Sequence, residues 1–500
     1  MATIQRKLLT TNFGEISRKI ALTKERVFEK IDDEFDPATI DIPEEYGFII
    51  DFVNNNLYDE NQDPITDIGA IFLTGKAGTG KSTAIKYVKH MIKNSIVVAP
   101  TTIAAMNVKG STIHSFFGFV PGVMDPSEIN TVNQKIVPVL HALDLLIVDE
   151  ISMVSSAMVD CMDAALRLAK NSDKPFGGIK MLFVGDLFQL PPIVGDEEVR
   201  KYFAGTSERY NSEFFISADV FKNKARGCNI HAIELKVVKR QDVSLDNDNA
   251  EFVKALNAIR TNDSDHIFGA LDFVNEKCFE NKKNVHDMQS GSIALVPTKA
   301  GAKEFNKTQI DRLEGESTMY KGVLKGGMSA EMIKQFQAPD ELELKVGAQV
   351  VFVTNNKPEW INGHLGIVEE LGKDVIKVKT LKDGFIRSVK RESFNKYTYK
   401  YDIQTKCLSR SSIEAFVQFP LALGWAITIH KSQGMTLENV IVDIKKQAFA
   451  EGQTYVALSR VKSIDGLILR SQLEYGDIKV NDQVLQIYSE LFPNDYRYEG

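Results

Sequence analysis

The sequence predicts an α/β protein built from two parallel-sheet cores in tandem. A chain of 500 residues is several times the size of a usual single domain, which already indicates two or more cores. Continuous rather than alternating apolarity is typical of parallel strands that are covered on both faces by helices. Six short apolar runs of this kind, each next to a helix-like stretch, lie at Ile71–Leu73, Ser95–Ala99, Leu145–Val148, Met181–Val184, Ile293–Val296 and Val440–Ile444.

The composition is that of an ordinary globular protein, with 43% apolar and 25% charged residues. No window approaches the roughly 18 apolar residues of a membrane span, and the first residues lack the apolar core and cleavage site of an export signal. We therefore expect an intracellular protein that does not enter a membrane. The cysteines form no CxxC pair and are expected to be buried thiols in a reducing compartment; they are Cys161, Cys228, Cys278 and Cys407.

The net charge of -7 is concentrated in one segment. Taken alone, it argues against a nucleic-acid partner, because such proteins usually present basic surfaces. Residues 1–60, however, contain 13 Asp/Glu and 7 Lys/Arg, so the remaining 440 residues are nearly neutral. The overall charge therefore does not exclude nucleic acid as a partner of the rest of the chain.

Residues 345–419 differ from the two cores in their pattern of apolar and polar residues. Short alternating segments separated by Asn- and Gly-containing turns predict a small antiparallel barrel inserted into the second core. From Lys373 to Lys400 this region carries 9 Lys/Arg against 3 Asp/Glu. Four aromatic residues lie among them: Phe385, Phe394, Tyr397 and Tyr399. The pattern fits either a solvated strand face or a groove that binds a single nucleic-acid strand.

The strongest local motif is GKAGTGKS at residues 75–82, between the strand pattern IFLT and the helical pattern STAIKYVKHMIK. Its glycines let backbone amides close around phosphates, Lys81 reaches the β- and γ-phosphates, and Ser82 offers a hydroxyl to Mg²⁺. The motif predicts a nucleoside triphosphate site of the P-loop type. Its nucleotide-contacting residues are expected to be Gly75, Ala77, Gly78, Thr79, Gly80, Lys81, Ser82 and Thr83.

A second acidic site follows the strand pattern in LDLLIVDEIS, residues 143–152. Asp149 is placed to hold the Mg²⁺ shell, and Glu150 can polarise the attacking water. Adjacent acids at a strand end could instead serve a helix N-terminus, but the P-loop favours the catalytic interpretation. Gln189, in KMLFVGDLFQLPPI, can sense the γ-phosphate or orient water, or make only a loop hydrogen bond.

Arginines supplied across a cleft stabilise the negative charge that develops during phosphoryl transfer. The candidates are Arg240 in LKVVKRQ and Arg460 in GQTYVALSRV. Each of them, taken singly, is better explained by a surface salt bridge.

Two Pro-Thr sequences echo each other, VVAPTTIAA at residues 97–105 and ALVPTKAGA at residues 294–302. Thr101 and Thr298 can each donate a hydroxyl, beside helix N-terminal amides, to a backbone phosphate. Either threonine alone could simply cap its helix. Their occurrence in both halves favours a functional role.

The order of the motifs resembles that of superfamily 1B DNA helicases, and within them the petite-integration-frequency (PIF) type, which is related to RecD. The match runs from about Ile71 to Leu469, roughly four-fifths of the chain. The motifs are GKAGTGKS, APTTIAAMNVKGSTIHSFF, DEISMV, FGGIKMLFVGDLFQLPP, VVKRQD, LVPTKAGAKEFN, LKVGAQVVFVTNN with INGHLGIV, LGWAITIHKSQGMTLENV, and GQTYVALSRV.

The resemblance implies two RecA-like domains that bind ATP and Mg²⁺ in their cleft and translocate 5′ to 3′ on single-stranded DNA. Its partners would be single strands, junctions and tailed duplexes, on which the protein is expected to act as a monomer in repair, recombination and replication. By motif, the nucleotide would be served by Lys81, Ser82, Asp149, Glu150 and Gln189 from the first domain and by Arg240, Gly434 and Arg460 from the second. The residues on or near the DNA track would be Thr101, His114, Thr298, His430 and Lys431. By themselves, the two histidines would be taken for packed core residues.

The resemblance also implies a domain layout. It consists of an acidic N-terminal segment at 1–62, a first RecA-like domain at 63–195 with a wedge at about 118–140, a second at 196–344 and 420–475, a Src-homology-3-like barrel at 345–419, and a C-terminal segment at 476–500. One departure is visible. Family members usually carry a Gln that reads adenine before the P-loop strand, and DIPEEYGFIIDFVNNN contains none. How adenine is recognised is therefore left open.

Three other functions were weighed. A nucleotide-switched module that binds single strands without unwinding does not need Glu150 and two arginines. An RNA helicase of the same superfamily stays open, because no reader of the 2′-hydroxyl can be identified from sequence. A recombination nuclease subunit would need a further acidic metal cluster, and none is apparent. We therefore expect an ATP-dependent 5′-to-3′ DNA helicase.

Overall fold

The coordinates are a computed structural model. Arg240 and most of the acidic segment lie outside the residues it describes, and within 395–402 and 407–415 only the backbone is described. The described residues are 42–57, 68–119, 124–134, 136–193, 203, 210–222, 228–237, 247–279, 291–325, 338–354, 356, 359–360, 362–402, 407–444 and 450–493.

The first sheet has six strands, all parallel, in the order β3-β2-β4-β5-β1-β6. They are β1 (Ile68–Gly75), β2 (Ser95–Ala99), β3 (Ser111–Thr112), β4 (Leu145–Val148), β5 (Lys180–Val184) and β6 (Asn229–Leu235). The four apolar runs of the first half all became strands, and every residue of β2 and β4 is buried. The edge strand β6 was not predicted, because its burial alternates and only one face is covered. It also lies beyond residue 195, yet it pairs with β1.

Helices cover both faces of this sheet. They are α1 (Glu44–Asn54), α2 (Lys81–Met91), α3 (Thr102–Asn107), α4 (Ile113–Phe117), α5 (Val137–Ala142), α6 (Ser156–Lys170) and α7 (Asp219–Lys222). On one face of β1 lie Ile49 and Phe52 of α1 together with Ile85 and Val88 of α2. The long helix α6 covers the opposite face. It begins where Ser155 accepts a hydrogen bond from the Met158 amide, which is a normal N-cap.

The second sheet has four parallel strands in the order β18-β7-β19-β20. They are β7 (Ser292–Val296), β18 (Ala426–Thr428), β19 (Asn439–Val442) and β20 (Leu467–Leu469). The associated helices are α8 (Asn247–Thr261), α9 (Ile267–Cys278), α10 (Lys299–Asp311), α11 (Ile429–Ser432) and α12 (Gln453–Leu458). The last helix, α13 (Asp482–Leu491), returns to the first core, where Val484 and Tyr488 join its apolar cluster. The predicted α/β architecture with two parallel sheets is confirmed.

The predicted insertion consists of antiparallel strands. Five of them pair in the order β14-β13-β12-β11-β17, while β15 and β16 form a long hairpin that β9 extends, and β8 pairs with β10. Their bounds are β8 (Thr318–Lys321), β9 (Val323–Lys325), β10 (Glu341–Leu344), β11 (Gln349–Phe352), β12 (Leu365–Leu371), β13 (Val375–Thr380), β14 (Ile386–Lys390), β15 (Glu392–Asp402), β16 (Cys407–Gln418) and β17 (Leu421–Leu423). Antiparallel pairing therefore begins before residue 345.

Cys161, Cys228 and Cys278 are buried free thiols, as predicted. Burial raises the pKa of Cys228 and of Cys278 to about 12. The side chain of Cys407 lies outside the described part of the chain. Among the residues that the structure describes, no helix is both long and apolar enough to cross a membrane.

Candidate nucleotide cleft and nucleic-acid track

The P-loop joins the end of β1 to the start of α2. Gly75, Gly78 and Gly80 all have positive φ angles, of 151°, 84° and 100°. A Cβ on Gly75 would lie 2.6 Å from Thr79 Oγ1 and 2.7 Å from the Leu235 carbonyl oxygen. Glycine is therefore required at this turn, both by the backbone conformation and by the close approach of its neighbours. The loop leads directly into the first turn of α2, and amides at a helix N-terminus favour the binding of phosphate.

The Lys81 ammonium lies across its own loop. It donates hydrogen bonds to the carbonyls of Gly75 and Lys76, the latter at 2.9 Å. The neighbouring Ser82 side chain is exposed. To reach the phosphates of a nucleotide, Lys81 has to exchange these two carbonyls for phosphate oxygens.

The two acids at the end of β4 lie at the carboxyl edge of the sheet, on the same side as the P-loop. The Glu150 amide donates to Asp149 Oδ1 at 2.9 Å, and Glu150 itself adopts a left-handed conformation with φ of 51°. Such a conformation is costly for a non-glycine residue and occurs often at functional sites. Burial, followed by the charge of Glu150, raises the pKa of Asp149 to about 8. A buried carboxylate together with an exposed hydroxyl at Ser82 is the oxygen donor set that Mg²⁺ prefers.

Gln433, at the end of α11, joins the second domain to these catalytic candidates. Its Nε2 donates to Glu150 Oε2 at 3.0 Å and to Gln189 Oε1 at 3.4 Å. The side chain is only 5% exposed, and its Oε1 has no hydrogen-bond partner within the described ranges. Gln433 is not among the site residues predicted from the sequence, although it lies inside the motif HKSQG. A neutral amide carries no charge pattern that would distinguish it.

The predicted Gly434 follows at once and lies in the cleft. Its φ is 77°, and a Cβ on it would lie 2.9 Å from Asn107 Nδ2 of α3. A glycine therefore lets the second domain approach the first closely at this point.

Arg460 is buried in the cleft rather than on the surface. It is 2% exposed, and its guanidinium donates to the Val456 carbonyl and to Ser459 Oγ, both at 2.8 Å. Burial lowers the pKa of Arg460, while the charge of Glu150 acts in the opposite direction. The surface salt bridge weighed for Arg460 is thus not observed. Arg240 lies outside the described residues.

Asp186 and Arg260 form a buried ion pair that sequence reasoning missed. Arg260 Nη2 lies 2.9 Å from Asp186 Oδ1, and the two residues are 3% and 0% exposed. Asp186 precedes Gln189 in the loop after β5, whereas Arg260 comes from α8. A sequence separation of 74 positions hides the pair.

The two echoing threonines occupy equivalent places, one after β2 and one after β7. Thr101 Oγ1 accepts from the Ala104 amide at 3.2 Å, and Thr298 Oγ1 accepts from the Gly301 amide at 3.1 Å. Both therefore cap the helix that follows, as the simpler interpretation expected. Capping uses one acceptor site of each hydroxyl, so the hydroxyl proton remains available for donation.

Lys299, the residue after Thr298, interacts electrostatically with two basic residues of the second domain. Burial and the charge of Lys299 lower the pKa of His430 and of Lys431, both on the short helix α11. His114 lies on α4 of the first domain, where burial lowers its pKa. His114 and His430 are half-buried and Lys431 is exposed, and all three lie on helices that follow strands. The residues predicted for the track thus lie near strand ends of both sheets.

Tyr46 occupies the segment in which no adenine-reading glutamine was found. It is 2% exposed, and its hydroxyl donates to the Gly80 carbonyl at 3.0 Å. Its ring also packs against Tyr87 of α2, with ring centroids 5.6 Å apart. Helix α1 therefore supports the P-loop from behind.

Comparisons with known proteins agree with the motif order. The model of the family described as PIF1-like helicase matches residues 57–266. The ATP-dependent DNA helicase Pif1 of Campylobacter jejuni is 29% identical over 454 residues, which cover 84% of this chain and 94% of that protein. The ATP-dependent DNA helicase PIF1 of Danio rerio is 31% identical over 436 residues, and this chain spans 61% of its length.

Solved structures are similar as well. The structure of Bacteroides sp Pif1 in complex with ADP-AlF4 has a TM-score of 0.75 and 31% identity, covering 91% of this chain and 98% of that one. Bacteroides Pif1 bound to single-stranded DNA has a TM-score of 0.65 and 32% identity. Identity above 30% over nearly the whole of a family member, together with the same fold, shows that the chain belongs to the PIF1-like helicase family.

Proposed function

We propose that the protein is an ATP-dependent DNA helicase that translocates 5′ to 3′ on single-stranded DNA and unwinds duplexes. The observation that carries the proposal is the Gln433 amide, which joins the catalytic candidates of the first domain to a basic helix of the second. A DNA-dependent motor needs such a link between hydrolysis and the track. The relatives named ATP-dependent DNA helicase and the relative bound to single-stranded DNA support it.

In this proposal ATP binds at the P-loop. Lys81 leaves the carbonyls of Gly75 and Lys76 for the phosphates, and the Ser82 hydroxyl and Asp149 carboxylate would hold Mg²⁺, which neutralises phosphate charge when bound. Glu150 accepts the proton of the attacking water.

The remaining catalytic candidates act on the γ-phosphate from both sides of the cleft. Gln189 senses the γ-phosphate or orients the attacking water. Arg460 leaves the Val456 carbonyl and Ser459 Oγ and stabilises the negative charge that develops on the transferred phosphate. We assign the same role to Arg240 on its sequence context. Gly434 leaves room for the cleft to close.

Translocation would follow from closing and opening of the cleft. Thr101 and Thr298 hold backbone phosphates on the two domains, assisted by His114, His430 and Lys431. Since the two grips lie on separate cores, a change in cleft width moves one grip along the strand relative to the other. Phosphate contacts do not read sequence, so we expect binding to weaken steeply with salt.

We also propose that residues 345–419 form a Src-homology-3-like barrel and residues 118–140 a wedge. The antiparallel order of β11 to β14 with β17 supports the first. The rings of Phe117 and Phe119 stack with their centres 5.1 Å apart where residues 118–140 begin, which supports the second. We expect two RecA-like domains, with β6 counted in the first because it pairs with β1. The motor is expected to work as a monomer inside the cell on junctions and tailed duplexes.

The decisive experiment compares duplexes that carry only a 5′ or only a 3′ single-stranded tail. We expect unwinding of the 5′-tailed substrate alone, and none by Lys81→Ala. Preference for the 3′ tail would contradict the proposed polarity. RNA tails of the same sequence, run in parallel, separate a DNA helicase from an RNA helicase.

A further inference from the structure

A tyrosine hydroxyl of the second domain lies between two groups of the first. Tyr455, on α12, is 3% exposed. Its hydroxyl accepts a hydrogen bond from the Ala77 amide at 2.9 Å and donates one to Asp186 Oδ2 at 3.3 Å. The P-loop backbone and the loop after β5 are thus both bound to one atom from across the cleft.

Asp186 is held firmly in place. Arg260 Nε lies 3.2 Å from both carboxylate oxygens, and Nη2 lies 2.9 Å from Oδ1. The contact is therefore bidentate. Burial would raise the pKa of Asp186, but the charge and hydrogen bonds of Arg260 hold it below its usual range. The carboxylate is therefore a charged acceptor for the Tyr455 hydroxyl.

The guanidinium of Arg260 is fixed in turn by aromatic rings. It lies 4.3 Å from the ring centre of Phe188 and 5.1 Å from that of Tyr488 on α13. Its Nη2 also donates to the Tyr488 hydroxyl, which itself donates to Glu234 of β6. A side chain clamped from several directions cannot adjust when one partner moves, so the positions of α8, α12 and the P-loop depend on one another.

The place of this contact in the chain connects it to the hydrolytic candidates. Ala77 lies inside the P-loop, next to the Lys76 carbonyl that accepts from Lys81. Tyr455 precedes Arg460 by five residues, and Asp186 precedes Gln189 by three. One hydroxyl thus joins the segments that carry three of the proposed catalytic groups.

We propose that Tyr455 is a positioning residue whose hydroxyl transmits the placement of the second domain to the P-loop. This deepens the proposed ATPase and rests on it. With the cleft closed, the hydroxyl fixes the positions of the Ala77 amide and the Asp186 carboxylate relative to each other. As the domains separate, the contact is lost and the loop relaxes. Hydrolysis is then fast only when the second domain is held in place, as it is with DNA bound.

The test is Tyr455→Phe, which keeps the ring and removes only the hydroxyl. A hydrogen bond to a charged group contributes about 1.5–3 kcal/mol, so the DNA-stimulated kcat for ATP is expected to fall roughly 10-fold or more. The KM for ATP should stay within about threefold, because Tyr455 contacts only a backbone amide of the loop. Turnover without DNA should fall less, so the stimulation by DNA decreases.

The matched control is Tyr320→Phe. Tyr320 is also buried, and its hydroxyl donates to the Gly372 carbonyl at 3.0 Å within the insertion, away from the cleft. Each variant loses one buried hydroxyl, which makes two hydrogen bonds at Tyr455 and one at Tyr320, and both variants should show a lower Tm. Only Tyr455→Phe should lose DNA stimulation.

A double-mutant cycle that combines Tyr455→Phe with Asp186→Asn tests whether the Tyr455 hydroxyl acts through Asp186. If the hydroxyl acts through Asp186, the double variant should be little worse than the more impaired single variant. Folded Tyr455→Phe with wild-type DNA-stimulated kcat would overturn the inference and leave the proposed ATPase untouched. Losses of turnover that merely follow Tm in both phenylalanine variants would overturn it too. A wild-type protein without DNA-stimulated hydrolysis would instead contradict the proposed function itself.

Discussion

Gln433→Ala tests the link between the two halves of the cleft. The substitution removes an amide that contacts both Glu150, at 3.0 Å, and Gln189, at 3.4 Å. The acceptor on Glu150 is a carboxylate, and a hydrogen bond to a charged group contributes about 1.5–3 kcal/mol. If that free energy is expressed in the transition state, kcat falls roughly 10- to 100-fold.

Steady-state ATP hydrolysis with saturating single-stranded DNA measures this effect. We expect kcat to fall and the KM for ATP to stay within about threefold, because the Gln433 amide donates to Glu150 and Gln189, which lie outside the P-loop. The control is Gln349→Ala, which removes an equally buried amide that donates to the Ser292 and Gly424 carbonyls. It should lower Tm but leave the turnover of folded protein unchanged. A kcat for Gln433→Ala within threefold of wild type would refute the assignment.

Three further tests address the remaining contacts. Glu150→Gln keeps the shape but not the charge, so ATP should still bind while DNA-stimulated hydrolysis falls on the order of 100-fold; wild-type turnover would exclude Glu150 as the base. The pair Thr101→Ala with Thr298→Ala should slow stopped-flow translocation, whereas the same pair changed to Ser, which keeps both hydroxyls, should not; equal rates for the two pairs would count against phosphate gripping. Tyr46→Phe removes the donor to the Gly80 carbonyl, and we expect the KM for ATP to rise about 2- to 10-fold, an idea that an unchanged KM in the same assay would rule out.

The fold was largely predictable because buried parallel strands are recorded as continuous apolar runs. The predicted bounds of β2 and β4 agree with the structure to the residue, since every one of their side chains is buried. The edge strand β6 escaped detection for the converse reason, since its pattern NIHAIEL is half exposed. The antiparallel insertion was predictable from its alternating apolar and polar residues. The pairing of β16 with β9 was not, because it joins residues about 90 positions apart.

A nucleotide site could be predicted from the sequence alone, because the P-loop and the Asp149–Glu150 pair are local motifs. The tertiary structure decided which groups meet across the cleft. Gln433 is 283 residues from Glu150, and Tyr455 is 378 residues from Ala77. Neither a neutral amide nor a tyrosine in an apolar helix shows its partner through composition or spacing. Only the packing of two separate cores brings these atoms within hydrogen-bonding distance, and burial then makes each contact costly to lose.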